Sequence, residues 1–100
     1  MFKIIQVDSL RQIAHVAEIA HTVWNEHYGT ILSQSQIDYM LGKFQSKEAI
    51  EQQIAEGYEY YLIVDNRGIG YFSVKPGKDS DGLMKLFLSK LYILKEYSMV

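Results

Sequence analysis

The chain has 100 residues and no cysteine; 48% of its residues are hydrophobic and 22% are charged. This length and composition predict a single domain over residues 1–100 and exclude a disordered tail, disulfide bonds and thiolate chemistry. A formal net charge of −2 gives no general electrostatic reason to bind nucleic acid or an anionic membrane. The sequence also has no apolar run of about 20 residues and no signal peptide, so we expect a cytoplasmic protein without a membrane partner.

A strand and a long amphipathic helix are predicted first. The β-branched and aromatic run from Phe2 to Val7 predicts the strand. Ser9, with Gln12 three residues later, has the spacing of a capping box and predicts the start of the helix. At about 100° per residue the apolar side chains that follow fall in one sector, which predicts a helix to about His27.

Two shorter helices are predicted next. Ser33 with Gln36 forms a second capping box. Ser46 can cap a third helix that ends at Gly57, a residue type that favours the left-handed conformation at a helix terminus. The apolar residues after Ser33 have the spacing of one buried helical stripe: Ile37, Met40, Leu41 and Phe44.

The pattern then changes from helical to extended. The segments Tyr58–Asp65 and Ile69–Lys75 predict a hairpin joined by a turn at Asn66-Arg67-Gly68. A polar loop from Pro76 to Gly82 leads to a last strand, Leu83–Leu94. Because this strand has apolar residues on both faces, we expect it to lie in the centre of a sheet that is covered on both sides.

The order strand, three helices, three strands predicts an α/β (α+β) fold, with helices packed on a mostly antiparallel sheet. A central strand needs neighbours on both edges, yet only Lys95 to Val100 follow it. We therefore expect a fold that is truncated at its carboxyl end or completed by a partner chain, such as a second copy in a homodimer.

The last strand carries a resemblance to a known family. The run Leu86–Tyr97, LFLSKLYILKEY, resembles the central strand of GNAT-type N-acetyltransferases, which leads into a glycine-rich phosphate loop. The aromatic pair Trp24 and Tyr28 and the hairpin step Gly70-Tyr71-Phe72 are in step with that family. The resemblance covers the amino-terminal part of a family member, because the chain ends at Tyr97-Ser98-Met99-Val100, before the phosphate loop.

The resemblance implies an acetyl-CoA-dependent N-acetyltransferase, in which an amine attacks the thioester directly. The acceptor is a small-molecule or peptide amine. In the family, main-chain groups of the central strand bind the pantetheine arm, and the matching cofactor-binding positions are Leu91, Tyr92 and Ile93. The resemblance assigns the acceptor pocket to three aromatic residues: Trp24, Tyr28 and Tyr71.

Three histidines lie six residues apart on the first helix: His15, His21 and His27. This spacing rotates each by about 240° from the last, so they cannot converge on one ion and no metal site is predicted. We expect His15 on the solvent side and the other two nearer the apolar sector. His27 adjoins the loop that borders the acceptor site, and it is the candidate catalytic residue, as a proton acceptor from the amine.

Other polar and aromatic residues are interpreted as structural. The run Arg67-Gly68-Ile69-Gly70 precedes a strand and is interpreted as a hairpin turn rather than a phosphate loop. Ser89 and Lys90 complete no catalytic triad, because no acid or histidine has the right context. The strand aromatics are assigned to sheet packing rather than to a platform for bases: Tyr58, Tyr60, Tyr61, Tyr71 and Phe72.

Two other functions stay open. Without its phosphate loop the enzyme is expected to be impaired, and the alternative is a non-catalytic acetyltransferase-like module completed by self-association through the open sheet. A third hypothesis is a small-ligand binder that uses the cleft between the first two helices and the hairpin. The sequence does not identify the acceptor amine: polyamine, amino sugar, antibiotic and protein N-terminus all remain open.

Overall fold

The computed structural model describes residues 2–97 of the chain. Its four strands form one antiparallel sheet in which each strand pairs with the next along the chain, and this confirms the predicted α+β fold and element order. A π-helical turn (Leu41–Gln45) continues the second helix, and a 3₁₀ turn (Lys95–Tyr97) follows the last strand. The elements are β1 (Lys3–Gln6), α1 (Leu10–Tyr28), α2 (Gln34–Met40), α3 (Lys47–Ala55), β2 (Glu59–Asp65), β3 (Arg67–Lys78) and β4 (Met84–Ile93).

The three predicted serine caps are present. Ser33 and Gln36 also complete the reciprocal capping box. At α1 the Gln12 carboxamide instead accepts the N–H of Asp8 at 2.7 Å, so the second half of the predicted box lies one residue earlier. Each helix begins after a serine whose hydroxyl accepts a backbone N–H from the third residue on: Ser9, Ser33 and Ser46.

The core lies between the helices and one face of the sheet. Tyr60 and Tyr71 are fully buried on that face. Residues on the other face are partly exposed, including Tyr61 and Phe72, whose rings stack with centroids 5.0 Å apart. The helices therefore cover one face of the sheet only. No helix within residues 2–97 combines the length and apolarity needed to cross a bilayer.

β4 lies at the edge of the described sheet, and the prediction that Leu83–Leu94 is a covered central strand is wrong for residues 2–97. The strand pairs with β3 alone. Apolar residues on both faces of a strand indicate that both faces can be buried. They do not indicate whether the elements that bury them belong to residues 2–97. Six apolar side chains at this edge are more than half exposed: Leu83, Met84, Leu86, Phe87, Leu88 and Leu91.

β3 extends further than predicted, through Pro76 to Lys78. Proline lacks the N–H that a central strand needs, but the pairing with β2 reaches only to Val74, opposite Glu59, so β4 is the one strand of the described sheet beside Pro76. The predicted polar loop is shortened to residues 79–83. The Asp79 carboxylate holds this loop by accepting the N–H groups of Asp81 and Leu83, each at 2.9 Å.

The π turn changes which side chain points inward after α2. The sequence predicted Phe44 as the last member of a buried stripe, but Phe44 is 39% exposed and Gln45 is buried instead. A π turn holds more residues than an α-helical turn, so the inward direction moves on by one position.

The exposure of the three histidines on α1 differs from the prediction. His15 is half-buried, whereas His21 and His27, expected nearer the apolar sector, are exposed. The start of β3 packs against His15, and a Cβ added at Gly68 would lie 2.6 Å from the Nε2 atom of that histidine. The hairpin therefore covers a side of α1 that the helical pattern alone assigns to solvent.

Candidate functional site

The end of β4 presents main-chain groups to the outside of the sheet. Leu94 donates its N–H to the carbonyl of Ile69 at 2.8 Å, and Tyr92 lies opposite Tyr71. Bonded and non-bonded pairs alternate along an antiparallel ladder. The N–H and C=O of Leu91 and Ile93 therefore face away from β3, whereas those of Tyr92 point toward Tyr71.

His27 lies beside this edge. Its Nε2 atom is 3.4 Å from the carbonyl oxygen of Ile93, and its side chain is exposed. When Nε2 carries the hydrogen and donates it to this carbonyl, Nδ1 is the acceptor nitrogen. The adjacent Glu26 carboxylate accepts the N–H of Lys95 at 2.9 Å, which attaches the last turn of α1 to the chain just after β4.

The three aromatic residues predicted for the acceptor pocket belong to one cluster around Tyr92. Trp24 contacts Tyr28, with ring centroids 4.7 Å apart, and Tyr92, at 5.9 Å. Tyr71 contacts Tyr92 from the other side, at 5.6 Å. Because Tyr71 is fully buried, it supports Tyr92 from beneath, while Trp24 reaches the cavity described next.

A cavity of about 420 Å³ opens beside this cluster, between the π turn, α3 and β4. Ser89 is exposed on its lining. The small-ligand hypothesis assigned a cleft between the first two helices and the hairpin, so the observed cavity is displaced toward α3. Its polar and aromatic lining includes Trp24, Gln45, Gln53, Ser89, Lys90 and Tyr92.

Lys90 brings a positive charge into this cavity. Its Nζ donates to the Tyr60 hydroxyl at 2.7 Å, and it also lies 3.3 Å from Oε1 of Gln53 and 3.4 Å from the carbonyl oxygen of Phe44. Burial lowers the pKa of Lys90 to about 8, because the charged form loses solvation. Within residues 2–97 Lys90 forms no ion pair with a carboxylate.

The sequence analysis did not predict that Lys90 lies in the cavity, although the pattern of the last strand contains an indication of it. Strict alternation assigns the even positions 84–94 to one face of the predicted strand, and Lys90 is the one charged residue among them. A lysine in such a place must either snorkel to solvent or lie in a polar cavity. A search for a triad around Ser89 could not reveal this.

Two glutamines hold the buried tyrosine hydroxyls under the cavity. The Tyr71 hydroxyl donates to Oε1 of Gln45 at 2.7 Å, and the Tyr60 hydroxyl donates to Oε1 of Gln53. Burial raises the pKa of both phenols, so both remain protonated at neutral pH.

Two further polar atoms are buried here. Within the described part of the chain, the indole nitrogen of Trp24 and the hydroxyl of Ser73 have no hydrogen-bond partner of normal geometry. Each lies close enough to a tyrosine hydroxyl, of Tyr71 and Tyr60 respectively, to lower the pKa of that phenol slightly.

Comparison with solved structures identifies the fold. The chain matches PaiA N-acetyltransferase from Thermoplasma acidophilum, solved in complex with coenzyme A, with a TM-score of 0.76 and 21% identity over 98% of this chain and 62% of that one. It also matches a probable acetyltransferase, with a TM-score of 0.57 and 20% identity over 96% of this chain and 60% of that one. No protein-family model matches the sequence, and curated proteins yield no match either.

These matches show that residues 2–97 have the fold of acetyltransferases and confirm the predicted GNAT-type resemblance. The chain spans about three fifths of the length of the two structures. The prediction that the chain ends before a phosphate loop concerns Tyr97-Ser98-Met99-Val100, and the last three of these residues lie outside the described part of the chain.

Proposed function

We propose that this chain forms the thioester-binding and acceptor-binding part of an acetyl-CoA-dependent N-acetyltransferase that acts on a small-molecule or peptide amine. The main observation is the outward-facing main chain of Leu91 and Ile93 beside an aromatic cavity. The fold supports the proposal, because it matches two acetyltransferases, one of which was solved with coenzyme A.

The edge at Leu91 and Ile93 fits the pantetheine arm of coenzyme A. This arm contains amide groups, and an extended chain with amides can add to a strand edge as a further strand does. When bound, acetyl-CoA supplies the acetyl group as a thioester. A main-chain N–H of this edge then donates to the thioester carbonyl oxygen and stabilises the negative charge that develops there during attack.

His27 is the proposed base. The amine nitrogen bonds to the acetyl carbon as the carbon–sulfur bond breaks, and the electron pair of that bond leaves with coenzyme A as a thiolate. The surplus proton of the amine must leave as well. With Nε2 directed at the Ile93 carbonyl, Nδ1 of His27 can accept this proton beside the same edge. Trp24 and Tyr28 would form an apolar wall that positions the amine and excludes water.

The test compares two variants of one residue on the proposed edge. Leu91→Pro removes the outward N–H, which β3 does not use, whereas Leu91→Ala keeps this N–H and removes only side-chain atoms. Calorimetric titration with coenzyme A should show binding to the original chain, at least about tenfold weaker binding to Leu91→Pro and little change with Leu91→Ala.

Either of two results would count against the proposal. Equal loss in the two variants would contradict the main-chain role of Leu91. Failure of the unmodified chain to bind coenzyme A and to acetylate any amine would contradict the proposed function as a whole.

The second candidate is a non-catalytic module that self-associates through β4. The exposed apolar edge of this strand favours it, because edge strands with apolar side chains pair readily with other chains. Light scattering should then give a dimer that Leu88→Lys converts to a monomer. A monomer at all concentrations would contradict this candidate.

A further inference from the structure

The positive charge of Lys90 lies in the cavity, and no carboxylate of residues 2–97 is within ion-pair distance of it. Its three nearest partners are neutral oxygens: one close, the Tyr60 hydroxyl at 2.7 Å, and two more distant, from Gln53 and Phe44. The two distant contacts are weak, so an incoming oxygen can replace them at small cost. An ammonium group in such a place favours a ligand oxygen that carries negative charge.

The cavity also has the size and charge pattern of a small-molecule site. Its volume of about 420 Å³ is in the range of ligand pockets, roughly 300–1,000 Å³. Besides Lys90, the charged lining residue is Glu56, which is exposed at the end of α3 and makes no ion pair with Lys90 within residues 2–97. The cavity therefore presents charges of both signs, and a molecule with an ammonium and a carboxylate group is complementary to it.

We infer that Lys90 binds the carboxylate of the acceptor, so that the acceptor amine is a small amino carboxylate rather than a polyamine. The inference rests on the proposed function for the acetylation of the amine and adds the class of substrate to it. A diamine would place a second cation near Lys90, and like charges at short distance in a partly buried site repel each other. Tyr92 lines the cavity between the two outward-facing residues of the β4 edge, so a ligand held by Lys90 lies next to that edge.

The chain has its own optical probe for this cavity. Its one tryptophan, Trp24, lines the cavity, so its fluorescence reports occupancy without any acetyl transfer. Three probes with the same four-carbon chain separate the charge patterns: γ-aminobutyrate, butylamine and putrescine. We expect γ-aminobutyrate to bind at least about tenfold more tightly than either of the other two, since a charge-assisted hydrogen bond has about that effect.

Three variants test the assignment to Lys90. Lys90→Gln removes the charge and should weaken γ-aminobutyrate binding about tenfold or more, while Lys90→Arg keeps the charge and should retain part of it. Lys85→Gln, an exposed lysine on the same strand that pairs with Asp79, is the control and should bind as the original chain does. Circular dichroism establishes that each variant is folded.

The outcomes separate this inference from the proposed function. The inference would be overturned if putrescine bound as tightly as γ-aminobutyrate, or if γ-aminobutyrate bound equally well to Lys90→Gln and to the original chain. Neither result would affect the coenzyme A test. Lys90-dependent binding of γ-aminobutyrate without coenzyme A binding would support the carboxylate site and contradict the acetyltransferase.

Discussion

The hydroxyl of Tyr71, in the middle of β3, donates a hydrogen bond to the carboxamide of Gln45, on the π turn, at 2.7 Å. Both side chains are buried, and Gln45 lines the cavity while Tyr71 packs against the lining residue Tyr92, so this bond attaches a wall of the cavity to the sheet beneath it. The π turn is what directs Gln45 inward. An ordinary α-helical continuation would have buried Phe44 in its place and closed the polar side of the cavity with an apolar ring.

The Tyr71–Gln45 bond should contribute measurably to stability. Gln45→Leu leaves a buried hydroxyl without its acceptor, and we expect the free energy of unfolding to fall by about 1–3 kcal/mol, measured by urea denaturation. Adding Tyr71→Phe should cost less than the sum of the two single changes, because the second change removes the unsatisfied group. Strict additivity in this double-mutant cycle would show that the bond contributes nothing.

Lys90 should make stability depend on pH in the alkaline range. Its pKa is about 8 in the folded chain against 10.5 for an unperturbed lysine, so the unfolded chain binds more protons between these values. Stability should therefore rise with pH from about 8 toward 10.5 relative to Lys90→Met, by on the order of 1–2 kcal/mol. Urea denaturation of both chains at several pH values measures this difference; a constant difference would contradict the lowered pKa.

Gly70 should tolerate no side chain, because a Cβ there would lie 2.5 Å from the carbonyl oxygen of Tyr92 and 3.2 Å from Cα of Ile93. We expect Gly70→Ala to push β4 away from β3, to lower stability by about 1–3 kcal/mol and to weaken coenzyme A binding. Gly77→Ala, on the same strand, meets only the ring of Phe87 at 3.0 Å and serves as the control. Equal effects on coenzyme A binding would show that the end of β4 has no special part in it.

His27 should affect the rate of acetyl transfer more than the binding of coenzyme A. His27→Gln removes the acceptor nitrogen, and we expect kcat to fall by about a hundredfold, the usual contribution of a general base. His21→Gln, on an exposed position of the same helix, should leave kcat unchanged. Steady-state kinetics with a saturating amine distinguish the two; a similar kcat in both variants would remove His27 from the reaction.

The sequence predicts what depends on local interactions. The serine caps and the helical stripes need only neighbouring residues, and helices therefore begin after Ser9, Ser33 and Ser46 as predicted. The cover of β4 depends on elements that its own pattern does not contain, and the prediction of a covered central strand was wrong for residues 2–97.

The candidate site follows the same division. Trp24 and Tyr28 are one helical turn apart, so their contact is local and predictable. The position of Gln45 in the site depends on the π turn, and the position of Lys90 depends on the contact between α3 and β4. No local sequence pattern specifies either of these.

The alternation of β4 places the aromatic cluster and the proposed coenzyme A edge on the same few residues, and this restricts which changes in its register and length the strand can tolerate. Tyr92 faces the aromatic cluster, while the residues on either side of it turn their main chain outward. If β4 slipped by one residue along β3, every side chain of β4 would move to the opposite face, and the main-chain groups that now face outward would face β3. A change of register would therefore remove both the aromatic contact of Tyr92 and the outward-facing main chain. A β-bulge interrupts the pairing of β3 with β4, since Ser73 lies opposite Lys90 but Val74 lies opposite Leu88, and it sets how many residues separate Lys90 from the loop at residues 79–83. Insertions in this chain should therefore be tolerated on the loop side of the bulge and not between it and Tyr92.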